Sequence, residues 1–591
     1  MNRPSPAAID PVLARRLDNK IPQENTTRPG FWQNISDAPI FRVFALNNKA
    51  PHNLLVIPPD PWTGSSAIGR DIVAGNFRFY GQNFSARVHS WKPDGAGPDW
   101  IAAMHSFEWL RDLRAVGGDQ ARRAARIFVK DWLQHYKRWD PVTWRPDIVG
   151  TRLAAWIGLH DFFLASADDG YRQSVFQSIQ KQSAYLLRVL PGHIKGSRLI
   201  AALKGQIYAS LALPHLQSRL FQALTLLDTE IEKQILPDGG HIERNPYIHA
   251  QVLKNFIDIR AALRCAGLAV PDSLLNAIHQ MAPMLRFYCH GDGKLTQFNG
   301  ASEGDSAFIN MIAQQAHAGG KTALAAPHSG YERLQLGRSV VLFDVGTPPL
   351  PGYDSHLHAA PLAFEFSSGR ERMVINCGHA GSLFRDLPMT LALRQTAAHS
   401  TATIANTNAV ELRHEGGIGR HPKTIHLHHE QTKDHVIVAA SHDGYHSNLG
   451  IIHSRQLYLG DGGEDFRGQD SFVGSAGHPI AVRFHLSPDI KASVTGNNAG
   501  VLLRTRSGAG WRFRCFGAET IHLEESISIP QAGETPKRTA QIVLSAHTSD
   551  KEVVLKWSFK REKKPRTTSG EKAIADGMDY PISPDGQARL T

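Results

Sequence analysis

The apolar residues of this chain change their spacing once, near residue 320, and that change divides the fold. Upstream of it they recur every three to four positions. Trp100, Ala103, Met104, Phe107, Leu110 and Leu113 share one helical face. The same period runs through 118–137, 150–165, 169–190, 197–212, 215–235, 247–266, 272–289 and 303–316, with short Gly-, Pro- or Asp-containing loops between. About nine helices in succession, with no strand among them, can bury their apolar faces only against one another, as an all-α layer. After Gly319-Gly320 the pattern alternates, as in Ser339–Phe343, Leu362–Phe366, Met373–Asn376, Val482–His485, Trp511–Arg514, Ala540–Leu544 and Val553–Trp557. Many short alternating strands with Gly/Asp turns predict a large antiparallel β-sandwich.

The predicted fold class is therefore multidomain α+β: helical hairpins followed by the sandwich. At 591 residues the chain is too long for one core. The boundaries read as an N-terminal segment of extended chain and short strands over 1–95, with a polar lead over 1–35. A helical domain over 96–325, a sandwich over 326–564 and a disordered tail over 565–591 follow. Asn53–Ile57, Phe77–Gly81 and Phe84–Val88 read as short strands or extended connectors.

A formal charge of +11 favours an anionic partner: nucleic acid, acidic polysaccharide or membrane surface. No nucleic-acid recognition motif is present, so nucleic acid is the least expected of these. No run of 18 apolar residues exists, which predicts no membrane-spanning helix. Cys265, Cys289, Cys377 and Cys515 are scattered without a C-x-x-C, and buried free thiols are expected. The first thirty residues lack an apolar signal core, which predicts a cytoplasmic protein. There is no Gly-rich nucleotide-binding loop, so no cofactor is expected to be required.

Two stretches concentrate chemistry. In Gly352–Ser400, His356 and His358 sit two apart, just ahead of the apolar run Leu362–Phe366. Residues i and i+2 of a strand share a face, so an H-x-H pair entering a strand would set two imidazoles side by side. That suits a metal, or one catalytic ring beside one structural ring. His399 opens another alternating run, through Ala405. The second stretch, Asp238-Gly-Gly-His-Ile-Glu243-Arg-Asn-Pro-Tyr247-Ile-His249, lies between two helices, with Pro246 suited to the first turn of the second.

These residues resemble the heparinase II/III-like polysaccharide lyases. The likeness is carried by His356, His358, Leu362-Ala363-Phe364-Glu365, Asn376-Cys377-Gly378 and His399-Ser400-Thr401. It extends to His453–Tyr458, Arg467–Asp470, Arg483–Leu486 and Glu524–Ser526. It implies an incomplete (α/α) toroid ahead of the sandwich, and periplasm or cell envelope as the alternative location. It implies that Tyr247 transfers a proton, with Glu243 in the same motif. It also maps the ligands of metal-binding members onto His358, Asn376 and His399, a structural zinc site in which asparagine replaces the family's aspartate. Where the lyases carry Gly-Asn-His-Leu, a clamp for the substrate carboxylate, this chain has Gly196-Ser197-Arg198-Leu199. Arg198, or the nearby His193, becomes the candidate clamp. Ala360 stands where members usually have an aspartate after the histidine pair.

The chemistry implied is β-elimination on a uronic-acid-containing acidic glycan. It needs a base, an acid for the departing oxygen, and a neutraliser for the developing aci-carboxylate. Tyr247 and His356 are expected across a cleft from one another. A tyrosine serving as base must first fall from a pKa of about 10, and arginine or protonated histidine nearby would lower it. The alternative is a non-catalytic glycan-binding or envelope polysaccharide-assembly protein that keeps the fold. Trp109, Trp132, Trp139, Trp144 and Trp156 could stack on sugars, although core packing is the commoner use.

Overall fold

A computed structural model describes residues 51–85, 91–320, 322–381, 388–413, 417–496 and 500–562. The expected lead over 1–35, the expected tail over 565–591 and the end of the Phe84–Val88 strand lie outside the described residues.

The chain folds as an incomplete (α/α) toroid of helical hairpins followed by a large antiparallel β-sandwich. The longer helices are Gly118–His135, Asp169–Val189, Gly196–Ala212, Gln217–Gln234, Pro246–Cys265 and Asp272–Phe287. The helix expected around Trp100–Leu113 is two helices, Pro98–Ser106 and Leu110–Val116. Phe107 between them takes a left-handed backbone, φ 61°. The break costs no burial, because Trp100, Met104, Phe107, Leu110 and Leu113 are all buried. Four of the five tryptophans, Trp109, Trp132, Trp144 and Trp156, are core residues, and Trp139 alone of the five is exposed. Residues 53–57 form no strand, and a helix at Ser66–Val73 was not foreseen.

The last helix of the toroid ends at Gln315 and the first sandwich strand begins at Ala325. Among the described residues one sheet has eight strands, running from Lys491–Val494 at one edge to Ile425–Gln431 at the other. The second has nine, with Thr520–Ser528 and Ala325–Ala326 at its ends and Ala402–Ile404 paired to Pro479–Leu486. Every ladder between the described strands is antiparallel. Between the sheets lie Phe364, Phe366, Phe466, Phe484, Phe513, Trp557 and Phe559. Burying each aromatic contributes roughly 1.5–3 kcal/mol. Phe364 stacks on Trp557 at 5.5 Å between ring centroids.

Buried polar pins join the two parts and set the space between them. Arg244 makes an ion pair with Asp344 and donates to the carbonyl of Ser329 at 2.7 Å. Asp238 accepts from the backbone N–H groups of His328 and Ser329. Glu365, fully buried in the sandwich, meets His290 at 3.0 Å and accepts from the Gln297 N–H. A hairpin, Asn76–Phe79 with Gln82–Ser85, packs Phe77 and Phe84 on the toroid and touches the sandwich with its tip. There the contact is glycine on glycine. A Cβ on Gly81 would lie 1.4 Å from the carbonyl oxygen of Gly533, and both residues have positive φ.

Among the described residues no helix is long and apolar enough to cross a membrane. All four cysteines are free thiols, but only Cys377 is buried. Cys289 and Cys515 are half-buried and Cys265 is exposed, which corrects the expectation of four buried thiols.

A candidate active site between toroid and sandwich

Tyr247 reaches the interdomain cleft because the start of its helix is fixed from both sides. The Asn245 side chain caps helix Pro246–Cys265, accepting from Tyr247 N and Ile248 N at 2.9 Å each. Its amide donates to the carbonyl of Asn299, and Arg244 next to it is pinned to the sandwich. Tyr247 is left half-buried on a cleft of about 690 Å³, which Arg198 and His356 also line. Burial and the Glu108 carboxylate raise the Tyr247 hydroxyl above its usual pKa. The expected lowering by arginine or protonated histidine is therefore overturned: the phenol stays protonated.

His356 comes from the facing wall, on a loop rather than a strand. The strand begins only at Phe364. The Asp354 carboxylate accepts from Gly352 N and Ile418 N, and Leu357 is buried with Ala359, Val410 and Ile418. His356 is half-buried on the cleft, whereas His358 is buried behind it. The strand geometry expected to align the pair is absent, and the two rings serve different surroundings. Burial, reinforced by the charges of His379 and Arg198, lowers the pKa of His356 to about 4. It is a neutral imidazole at neutral pH and can accept a proton.

His358 and His399 do meet, Nδ1 to Nε2 at 2.9 Å. His399 does not open a strand. It follows the short turn Thr396–Ala398, and its strand starts at Ala402. The partners assign the tautomers. His399 Nδ1 donates to the carbonyl of Gln395 at 2.8 Å, so its Nε2 accepts from His358 Nδ1. Among the described residues His358 Nε2 is left as a buried lone pair without a hydrogen-bond partner.

The residues expected to hold zinc do not fit it. Asn376 accepts from Ser400 N at 3.0 Å and donates from Nδ2 to Glu365 at 3.2 Å, so both its polar atoms are engaged and it carries no charge. Structural zinc uses four ligands from Cys, His and carboxylates. Among the described residues no group of three or more His, Cys, Asp or Glu could hold a metal ion.

Glu243 does not line the cleft. Its Oε1 accepts from Ser197 N at 2.7 Å at the start of helix Gly196–Ala212. Gly196, φ 61°, leaves room for it, since a Cβ there would lie 2.2 Å from that oxygen. The carboxylate thus holds the turn that presents Arg198, which is exposed to the cleft. His193 is exposed on the preceding loop and does not line the cleft.

Sequence reasoning missed several cleft neighbours. Asp99, Glu108, Arg145 and Tyr80 line it, and His379 acts electrostatically on His356. His379 directly follows Asn376-Cys377-Gly378, which was a usable signal. Nothing in the spacing singled out the others.

The motifs around His453 and Asp470 are the pedestal of the site. Arg455 donates from one nitrogen to the carbonyls of Leu362 and Ser400, each at 2.8 Å. These carbonyls belong to the two segments that follow His358 and His399. Leu362 holds a positive φ of 56°. Asp470 receives Arg455 at 2.7 Å, His453 at 2.8 Å and Trp557 at 2.8 Å, all within the core. Removing one partner of a buried pair leaves the other charge uncompensated. Asp470→Asn is expected to cost about 3–5 kcal/mol in urea unfolding. A loss under about 1 kcal/mol, the range of an exposed pair, would show that the pedestal is not needed.

Comparison with known proteins bears on this site. Residues 90–318 match the heparinase II/III N-terminus and residues 318–558 the heparinase II/III-like C-terminal domain. The chain is 28% identical over 519 residues to FtsZ-localized protein C of Caulobacter vibrioides, covering 84% of this chain and 88% of that one. In structure it is similar to heparinase III, with a TM-score of 0.70 at 15% identity and 94% of each chain covered. It is similar also to the heparan sulfate lyase HepC of Pedobacter heparinus, with a TM-score of 0.57 at 16% identity, covering 91% of this chain and 87% of that one. Both halves of one family's sequence are thus present in order, on the fold those halves adopt, and the chain belongs to the heparinase II/III-like polysaccharide lyase family.

Proposed function

We propose that the protein is a lyase that cleaves a uronic-acid-containing glycan by β-elimination. The observation that carries this reading is one cleft lined by Tyr247 from the toroid, His356 from the sandwich and the Arg198 guanidinium. Their protonation states divide the work. Neutral His356 takes the proton from the carbon next to the uronate carboxylate. The electron pair moves onto the carboxylate, where Arg198 neutralises it as a bidentate partner. As the carbon–carbon double bond forms, the bond to the departing sugar oxygen breaks, and Tyr247 gives that oxygen its proton. The proton on His356 then returns to the Tyr247 phenolate through solvent. Glu243 acts at a distance, through the turn that carries Arg198.

The test is a panel of acidic polysaccharides, including heparan sulfate, chondroitin sulfate and alginate, read by the ultraviolet absorbance of the unsaturated uronate. Arg198→Ala is expected to lower turnover about 10²–10³-fold, the usual effect of one lost electrostatic donor, and to weaken glycan binding with it. Unchanged kcat and KM would move the clamp elsewhere.

A second reading has its own support. Ser197-Arg198 replaces the family's amide–imidazole pair, and the Caulobacter relative is named for localisation with FtsZ. A polysaccharide that binds in the cleft but yields no unsaturated product would make this chain a glycan-binding protein of envelope assembly.

A further inference from the structure

The positive charge that predicts an anionic partner is not concentrated in the cleft. Among the described residues its lining carries four arginines (78, 111, 145 and 198) against four carboxylates (Asp99, Glu108, Asp112 and Asp147). Among the described residues an excess of cations lines a second concavity of about 700 Å³ elsewhere on the toroid, between helices Gly118–His135 and Asp169–Val189. Arg126, Lys130, Lys137 and Lys181 line it, with one carboxylate, Asp168. That carboxylate is committed to capping the second helix, accepting from Tyr171 N at 2.8 Å.

We infer that this groove is a second binding site, for an anionic oligosaccharide. Residues 126, 130 and 134 follow one another at i, i+4 and i+8, so they form a ridge about 12 Å long on one helix face. Lys137 continues it just past the helix end, and Lys181 stands on the opposite helix, donating to the Lys137 carbonyl. Among the cations stand Gln134, Gln177 and Ser174, whose amides and hydroxyl suit sugar hydroxyls. The Tyr171 hydroxyl is buried there without a hydrogen-bond partner among the described residues. Ile127, 56% exposed, offers a small apolar step. It does not offer the row of apolar anchors by which a groove takes a peptide helix. The volume lies within the range of sites for a small molecule, a few sugar units here. This site is independent of the chemistry in the cleft.

The test is calorimetric titration of the full-length protein with a heparin-derived hexasaccharide and with poly-L-glutamate of matched charge, at low and raised salt. Lys130→Glu with Lys137→Glu is expected to weaken hexasaccharide binding about tenfold or more, equivalent to about 1.4 kcal/mol. Lys130→Gln with Lys137→Gln should weaken it less, and Arg198→Ala should leave this binding component in place. Both lysines are exposed, so the variants should keep the wild-type melting temperature. The inference is overturned if the groove variants bind as the wild type does, if only Arg198→Ala removes binding, or if no hexasaccharide binds. Equal affinity for poly-L-glutamate would reassign the groove to an acidic peptide and overturn it as a glycan site.

Discussion

Replacing His356 with alanine is expected to lower kcat on the cleaved glycan about 10²–10⁴-fold, the usual contribution of a positioned base. Tyr247→Phe should do the same by removing the acid. The pair acts as one unit, so the double variant should be little worse than either single one. Both residues are half-buried at the cleft rather than in the core, and the urea midpoint should barely move. The pH profile adds an independent check. His356 must be neutral to accept a proton and its pKa is lowered to about 4, so kcat/KM should show no acid limb down to about pH 5, below which the fold itself is lost. With the Tyr247 hydroxyl raised above its usual value, no alkaline fall is expected below about pH 10. An acid limb near pH 7 would show instead that the imidazole is not held below its usual range.

Acid should unfold the protein well before its carboxylates titrate. His241, His249, His399 and His485 are buried, and burial lowers their pKa values to between about 3 and 4. Their rings are committed as neutral tautomers. His399 lies between Gln395 and His358, and His485 donates to Ala397 while its Nδ1 accepts from Ser526. A second proton would be a buried charge with no acceptor. The unfolded chain protonates these rings near pH 6.5, so it binds protons that the folded chain refuses. This stability is therefore fully present above about 6.5 and is lost as pH falls toward about 4. By pH 4 each histidine accounts for about 3 kcal/mol of that loss, against a total stability of about 5–15 kcal/mol. Circular dichroism from pH 8 to 4 should show one cooperative transition near pH 5. A native spectrum and an unchanged urea midpoint at pH 4 would exclude this account.

The two regimes of hydrophobic spacing made the architecture legible, because burial leaves a period of 3.6 on helices and 2 on strands. The loop between Gly352 and Phe364 has neither period, and there strand geometry misled. His356 and His358 look alike at two-residue spacing, yet Leu357 and the Asp354 turn send one to the cleft and seal the other behind it. Glu243 was legible as part of a motif but not as a group spent on a backbone N–H forty-six residues earlier. Asp99 and Glu108 carried no signal, because they face Tyr247 and His356 only once distant segments are packed together.

By itself, then, the sequence determined the order of toroid and sandwich, the capped helix start that carries Tyr247, and the residue types available for proton transfer. These depend on local spacing and backbone capping, which act over a few residues. Only the tertiary structure decided which histidine meets the cleft, that Tyr247 stays protonated, that Asn376 is engaged in hydrogen bonds, and which lysines and arginines share one groove. Those outcomes depend on burial and on groups that only the packed fold brings together, such as the Glu108 carboxylate and the Tyr247 hydroxyl. Desolvation and Coulomb interactions follow distance in space, and the sequence does not carry that distance.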